Sequence, residues 1–441
     1  MAIDIGALPK VPVGAATAAR RPPARAWIVL AILCFIYVIN FLDRQLLSIL
    51  AKPIQDELGV TDGQLGKLGG LYFALFYCVL AVPVGWFADR TNRVRVLALA
   101  CAIWSAATAA CGLSNSYAKL AMSRMAVGVG EAGGVPPSYA IISDYFASGR
   151  RGTALAIYNL GPPLGMALGV AFGASIAAHY NWRSAFLAVG AVGLVAAVLV
   201  CLGVREPARG QLDVAAAGTA QSRAPFWATF GMFMANPVLL RVSIAAGVTQ
   251  IVTYGSLNFT TLFLMREKGM TLSQVAVYYA LLLGVGVCAG MYSSGRLIDR
   301  FAPRSRTAYA WVPGIALLVA IPFFLGFVWA PTWPLALLFL AVPTFFNYFY
   351  LSPSVALVQE EVPPNQRVLA GALLLLIMNL MGLGIGPTLV GALSDHLRPT
   401  HPLHSLQLAY YSLTPFYVLA VLCFVWLAGA LKRAPRPPGA S

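Results

Sequence analysis

Four charges stand where a hydrophobic chain should carry none. Asp43 and Arg44 lie in the apolar run 27–50, and Arg124 and Glu131 in the run 117–143. Ionisable groups in hydrocarbon are costly and normally face a cavity or a partner. The chemistry these residue types offer is proton exchange. A carboxyl in a low-dielectric cavity holds its proton more tightly, and a nearby arginine loosens it. Arginine itself stays charged throughout. If the arginine moves as the cavity changes its exposure, the carboxyl takes up or releases a proton. Asp43 and Glu131 are therefore the expected proton carriers, with Arg44 and Arg124 as their tuners or as substrate anchors. A plainer alternative stays open, in which two ion pairs only pin one helix to another.

Spacing decides whether the four can meet. A helix entered near Trp27 brings Asp43 about 24 Å along its axis. A helix entered from the other side near Tyr117 brings Arg124 about 10 Å down. In a span about 30 Å thick the two depths nearly coincide. Glu131 lies seven residues beyond Arg124, two turns on and on the same face. Asp43 and Arg44 are neighbours and point about 100° apart. One is expected to face the helix of Arg124 while the other lines a different wall.

The elements that carry these charges are membrane spans. Hydrophobic residues make up 59% of the chain and charged residues 10%, against about a quarter charged in soluble proteins. Apolar windows give twelve helices: 27–50, 64–88, 94–113, 117–143, 152–178, 184–204, 237–264, 272–297, 307–329, 333–357, 367–394 and 408–431. Residues 1–26 read as a disordered tail, 27–204 as a first six-helix bundle, 205–236 as a linker, 237–431 as a second bundle and 432–441 as a second tail. With the N-terminus inside, the loops hold nineteen Lys and Arg on the inner side and six on the outer. That bias predicts both termini cytoplasmic, and the expected location of this integral protein is a bacterial inner (plasma) membrane. The same bias also accounts for the net charge of +15 without nucleic acid. The seven cysteines are scattered singly and read as buried apolar side chains. His396, His401 and His404 stand in one outer loop with two prolines and no cysteine between them, so no metal is expected. No cofactor is implied. The absence of a phosphate-binding glycine loop argues against ATP drive, and a chain with no sizeable loop is not expected to be an enzyme.

The chain also repeats itself. Gly85-Trp86-Phe87-Ala88-Asp89-Arg90 matches Gly295-Arg296-Leu297-Ile298-Asp299-Arg300, 210 residues on. Pro137, Ser138, Ala140, Asp144 and Arg151 match Pro353, Ser354, Ala356, Glu360 and Arg367, 216 residues on. A duplicated hydrophobic chain predicts two bundles around one central cavity. Gly85, Asp89, Arg90, Arg150, Arg151, Asp299 and Arg300 are the expected cytoplasmic gate. A carboxylate there can dock on a helix N-terminus of the opposite half. The second half carries no such buried charges. Its helices offer Tyr254 and Asn258, then Asn347 and Tyr348, then Asn379. With Arg44 and Arg124 these form the expected cavity wall. The asymmetry points to a substrate with an anionic or polar end at the first half and an apolar body at the second.

These motifs resemble the major facilitator superfamily over nearly all of 27–431. The stretch from Gly85 to Arg95 resembles its loop 2–3 signature. Arg124, Gly128 and Gly130 resemble its helix 4 signature, and Gly161-Pro162-Pro163-Leu164-Gly165 its antiporter-type signature. The fold implied is all-α and integral to the membrane, twelve transmembrane helices in two pseudo-symmetric six-helix bundles. Within it, Asn40-Phe41-Leu42-Asp43-Arg44, Gly130-Glu131-Ala132 with Pro136 and Pro137, and Asp144-Tyr145-Phe146 with Arg150-Arg151-Gly152 resemble the spinster family. That resemblance implies proton-linked transport of lysophospholipids or sphingosine phosphates, with coupling on Asp43 and Glu131 partnered by Arg44 and Arg124. The expected partners are a small amphiphile, protons and the lipid bilayer, and the expected state is a monomer. Organic-anion symporters share a similar Asn-x-x-Asp-Arg, so a sugar-acid or aromatic-acid symporter is one alternative, and a drug/proton antiporter another.

Overall fold

The computed structural model describes residues 24–146, 148–208, 226–363 and 366–433. The tail before residue 24, most of the linker and the last eight residues lie outside the described set. Among the described residues every regular element is a helix, and eleven helices are long and apolar enough to cross a membrane. The twelfth span, fourth in the chain, is broken into Tyr117–Glu131 and Val135–Tyr145. The sequence reading ran a single helix over 117–143. The break follows from Gly133 and Gly134, weak in helix interiors, and from Pro136 and Pro137, which donate no backbone hydrogen bond. We number the spans in chain order. Span 1 is Ala24–Ile49. Span 2 is Asp62–Gly69 and Leu71–Arg90, interrupted at Gly70. Span 3 is Arg93–Gly112 and span 6 is Trp182–Gly203. Span 5 is Ser148–Tyr158 and Gly161–His179.

The second half repeats the interruptions of spans 2 and 4. Span 10 is split into Trp333–Phe346 and Leu351–Glu361, as span 4 is 216 residues earlier. Thr61 and Gln64 form a capping box that starts span 2, and Thr271 and Gln274 form another that starts span 8. The two boxes stand 210 residues apart. Where span 2 breaks at Gly70, span 8 carries a π-turn at Val275–Tyr279 before continuing as Ala280–Phe301. Spans 7, 9 and 11 are Pro237–Arg266, Ala308–Trp329 and Arg367–Leu397. Span 12 is Ser405–Tyr411 and Thr414–Arg433. The linker region, read from sequence as a connector, contains one more helix, Phe226–Ala235. Its Thr229 and Phe233, one turn apart, are buried while Trp227 is exposed. It packs on spans 7 and 11.

An even number of crossings puts both described chain ends on one face, here the terminal face. The halves meet at the opposite, distal face. There, span 2 lies on span 11 so closely that a Cβ on Gly66 would come 2.3 Å from the Pro387 carbonyl oxygen. Asp62 opens span 2 and is fully buried. Arg266 of span 7 grips it with both Nη atoms at 2.9 Å, Ser394 of span 11 donates to it at 2.6 Å, and Gln55 at 2.6 Å. In return Asp395 of span 11 accepts the backbone N–H groups of Asp62 and Gly63 at 2.9 Å. Each half thus lends a carboxylate to the other. Ser48 adds a bond from span 1 to the Asn258 carbonyl of span 7 at 2.7 Å. Spans 5 and 8 complete the seal, with Ala167 beside Gly284.

Toward the terminal face the halves part. Among the described residues, Gly85 has only Pro136 of its own half within reach, and Gly295 has nothing within 4 Å of where a Cβ would stand. Each half is instead tied internally. Arg93 bonds Asp144 at 2.6 Å, Glu206 at 2.7 Å and the Pro207 carbonyl at 3.1 Å. In the second half Arg306 pairs with Glu361, and the Tyr309 hydroxyl donates to Glu360. The described hydrogen bonds and ion pairs between the halves gather at the distal face.

Candidate functional site

All four charges of the sequence reading come together between spans 1, 3 and 4. Asp43 and Glu131 are buried at 0% and 1% exposure, and Arg124 at 2%. Arg44 Nε donates to Glu131 Oε2 at 2.6 Å. Arg124 Nη1 stands 3.7 Å from Asp43 Oδ1, close enough to feel its charge and too far to hydrogen-bond. Thr108 of span 3 supplies the hydrogen bond instead, 2.7 Å from Asp43 Oδ2. The sequence placed one member of Asp43 and Arg44 on span 4 and sent the other elsewhere. Both reach span 4, because the arginine side chains are long. Arg44 runs to Glu131, and Arg124 reaches toward Asp43, two turns away on the same helix.

Local sequence makes this packing feasible. A Cβ on Gly130 would stand 2.5 Å from the Trp104 nitrogen, so only glycine lets span 4 rest against span 3 beside Glu131. Three rings surround the Arg44 guanidinium: Phe41 at 4.7 Å, Phe73 at 5.0 Å and Tyr77 at 5.0 Å. Phe73 also lies 5.7 Å from Arg124, between the two arginines. Ring faces attract cations and exclude water, so the two charge pairs sit in a dry, polarisable pocket. The cluster keeps several buried polar atoms without a hydrogen-bond partner: Asp43 Oδ1, Glu131 Oε1, and Nε and Nη1 of Arg124. An under-satisfied buried network is a high-energy arrangement, poised to accept a partner or a proton. Phe41, Phe73, Tyr77 and Thr108 were missed by the sequence reading. Their signal was a stripe facing the charges: Phe41 and Arg44 are three residues apart, and Phe73 and Tyr77 four.

A void of about 20 Å³ joins this cluster to the second half, room for about one water. Arg44, Arg124, Phe73 and Ser48 line it from the first half, and Tyr254, Leu257, Asn258 and Leu383 from the second. Of the seven expected cavity residues, Arg44, Arg124, Tyr254 and Asn258 meet here. Asn347, Tyr348 and Asn379 do not line it. Asn347 accepts a hydrogen bond from Tyr417 at 2.9 Å, within the second half, and Tyr348 reaches Met166 of span 5 at 3.7 Å. Asn379 is half-buried on span 11. The repeat offset of 216 carries Glu131 onto Asn347 and Arg124 onto Leu340. The second half therefore keeps the scaffold of the site without its charges.

The expected gate residues lie at the terminal ends of spans 2, 5 and 8. Arg90 stacks on Trp86 at 3.8 Å. Arg151 donates to the Ser143 carbonyl at 2.7 Å. Arg150, Asp299 and Arg300 are exposed. Asp299 and Arg300 line an open depression with Arg296 and Leu297. The Asp89 side chain is outside the described set. Among groups outside the spans, burial pushes the Glu267 carboxyl up, although it caps Leu406 and Gln407.

The pattern of the Major Facilitator Superfamily matches residues 33–380. The chain is 33% identical to an MFS-type efflux pump of Mycolicibacterium smegmatis, over 94% of this chain and 95% of that one. It is 26% identical to the hexuronate transporter of Bacillus subtilis, over 88% and 92%. Its fold superposes with a TM-score of 0.87 on a bacterial homolog of the human lysosomal transporter Spinster, in an inward-facing, unoccupied conformation. That match has 29% identity and covers 95% of this chain and 100% of that one. Twelve spans in duplicated halves, sealed at the distal face around a buried charged cluster, go with this likeness: the chain belongs to the Major Facilitator Superfamily, as a spinster-like membrane transporter.

Proposed function

We propose that this protein is a proton-coupled secondary transporter that works by alternating access and carries a single-chain amphiphile with a phosphate-bearing or zwitterionic head. The observation that carries the reading is the one-sided cluster: two carboxylates and two arginines buried in the first half, facing a neutral, aromatic second half. Arginine suits phosphate recognition; Arg44 and Arg124 both line the void, and Arg44 is the one hydrogen-bonded to a carboxylate. An anionic headgroup on Arg44 competes with Glu131. A carboxylate that loses its cation in a dry cavity gains a proton. Tyr254 and Asn258 meet the substrate from the other side, and the apolar surface of spans 7, 10 and 11 accommodates a chain. The distal seal and the open terminal face make up one end of the cycle. The positive-inside bias makes the terminal face cytoplasmic, in a bacterial inner membrane, and the protein works as a monomer.

A second reading has its own support. The Bacillus relative is named for hexuronate, and Arg44 with Asn258 and Tyr254 would also serve a small organic anion. The efflux-pump relative raises drug/proton antiport in the same way. Competition in proteoliposomes separates them. Lysophospholipid or sphingosine phosphate is expected to bind and be carried. Transport of a hexuronate or aromatic acid without lipid binding would overturn the amphiphile reading and leave the organic-anion one.

A further inference from the structure

We propose that Thr108 is a positioning residue for the proton of Asp43, a hydroxyl that changes from donor to acceptor so that the carboxyl is protonated with no heavy atom moving. The proposal rests on the proton-coupling reading above.

Thr108 Oγ1 lies 2.7 Å from Asp43 Oδ2 and 2.9 Å from the Trp104 carbonyl oxygen, one turn back in span 3. A hydroxyl has one proton to give and two lone pairs. A carbonyl oxygen only accepts. With Asp43 ionised, the hydroxyl proton points to Oδ2. With Asp43 protonated on Oδ2, the carboxyl O–H donates to Oγ1, and the hydroxyl proton turns to the Trp104 carbonyl. One proton arrives at Oδ2, none leaves Thr108, and both distances stay within hydrogen-bond range. A helical threonine bonded to the carbonyl four residues back is common and signifies nothing alone. The second contact, to a fully buried carboxylate on another span, gives it a role.

Glu131 is built differently. Its Oε2 accepts from Arg44 Nε at 2.6 Å, and a guanidinium has no acceptor to offer. Protonating that oxygen breaks the bond, and a proton placed on Oε1 instead finds no acceptor, because Oε1 has no hydrogen-bond partner. Asp43 Oδ2 has its acceptor already in place. Arg124 stands 3.7 Å from Asp43 Oδ1, and that oxygen has no hydrogen-bond partner. The other titratable or charged groups facing Asp43 are Arg44 on its own span, Glu131 on span 4 and Cys111 on span 3. Among the described residues around Asp43, Thr108 is placed to bond both protonation states.

The test is the pH profile of gradient-driven flux in proteoliposomes, for Thr108→Val, Thr108→Cys and Thr108→Ser. Valine removes the hydroxyl from both forms of Asp43, and the ionised form loses the stronger bond, so the midpoint moves to higher pH by about one unit. Cysteine, a weak donor, moves it less in the same direction, and serine restores the wild-type midpoint. If Thr108→Val does not fold, the order of serine, threonine and cysteine still decides. A merely structural threonine predicts lower flux at every pH with an unmoved midpoint, and that result overturns the proposal. A wild-type protein whose flux ignores pH overturns the coupling reading itself, a distinguishable failure.

Discussion

At the scale of single residues, the buried cluster makes sharp demands. Asp43→Asn and Glu131→Gln are expected to abolish the pH-gradient dependence of flux while leaving some substrate binding, since each keeps the side-chain shape and loses the titratable proton. Flux measured with and without a gradient checks this, and unchanged dependence in both variants counts against proton coupling. Arg44→Lys tests the headgroup anchor. Lysine keeps the charge and loses the planar fork and the stacking against Phe41, Phe73 and Tyr77. Binding of a phosphate-bearing amphiphile should fall about tenfold or more, the order of magnitude of one lost charge-assisted bond. Titration of the purified variant against wild type measures it. Equal affinity would place the headgroup elsewhere.

At the scale of elements, the distal seal depends on how span 2 begins. Its first turns are clasped by Arg266 and Asp395 and end at the break at Gly70. Asp62→Asn removes one charge of a bidentate pair. Arg266→Gln removes the other and leaves Asp62 buried without its cation, a costly change. Both should shift the population toward a distal-open state. Spin labels introduced at Asn115 and Thr400, exposed on opposite halves of the distal face, should then report added longer distances. Glu57→Gln is the control, because Glu57 pairs with Arg183 and Trp182 inside the first half. Identical distance distributions in Asp62→Asn, Arg266→Gln and wild type would deny the clasp a gating role. The linker helix Phe226–Ala235 could not be placed this way from sequence, because ten residues are too few for a clear period.

At the scale of the whole molecule, the proposed cycle has two bundles rocking about the centre, so that closing the distal face goes with opening the terminal one. Asp89→Ala is expected to favour the terminal-open state, by weakening contacts that form only when the terminal ends meet. Labels on the ends of spans 2 and 8 would show fewer short distances in the variant. An unchanged distribution would mean that Asp89 sets local structure alone. The clasp and the Asp89 contact oppose each other in this scheme, so Asp62→Asn combined with Asp89→Ala should lie between the single variants.

Much of this architecture follows from sequence alone, because lipid leaves a chain few choices. A hydrocarbon core requires apolar helices of fixed length, so twelve runs, their order and their duplication could be read directly. Helical rise also put Asp43 and Arg124 at one depth. Sequence could not say that Arg44 takes Glu131 while Arg124 faces Asp43 without bonding it. That choice depends on the reach of flexible side chains and on Gly130, which admits Trp104 against span 4. Thr108 was one threonine among many until span 3 came to rest beside span 1. The distal clasp was invisible for the same reason. Asp62 and Arg266 are 204 residues apart and break the repeat, since Leu272 stands at Asp62's matching position. Periodicity along a helix is local and can be read from its own residues, whereas pairing across helices exists only once backbones approach and water is excluded between them.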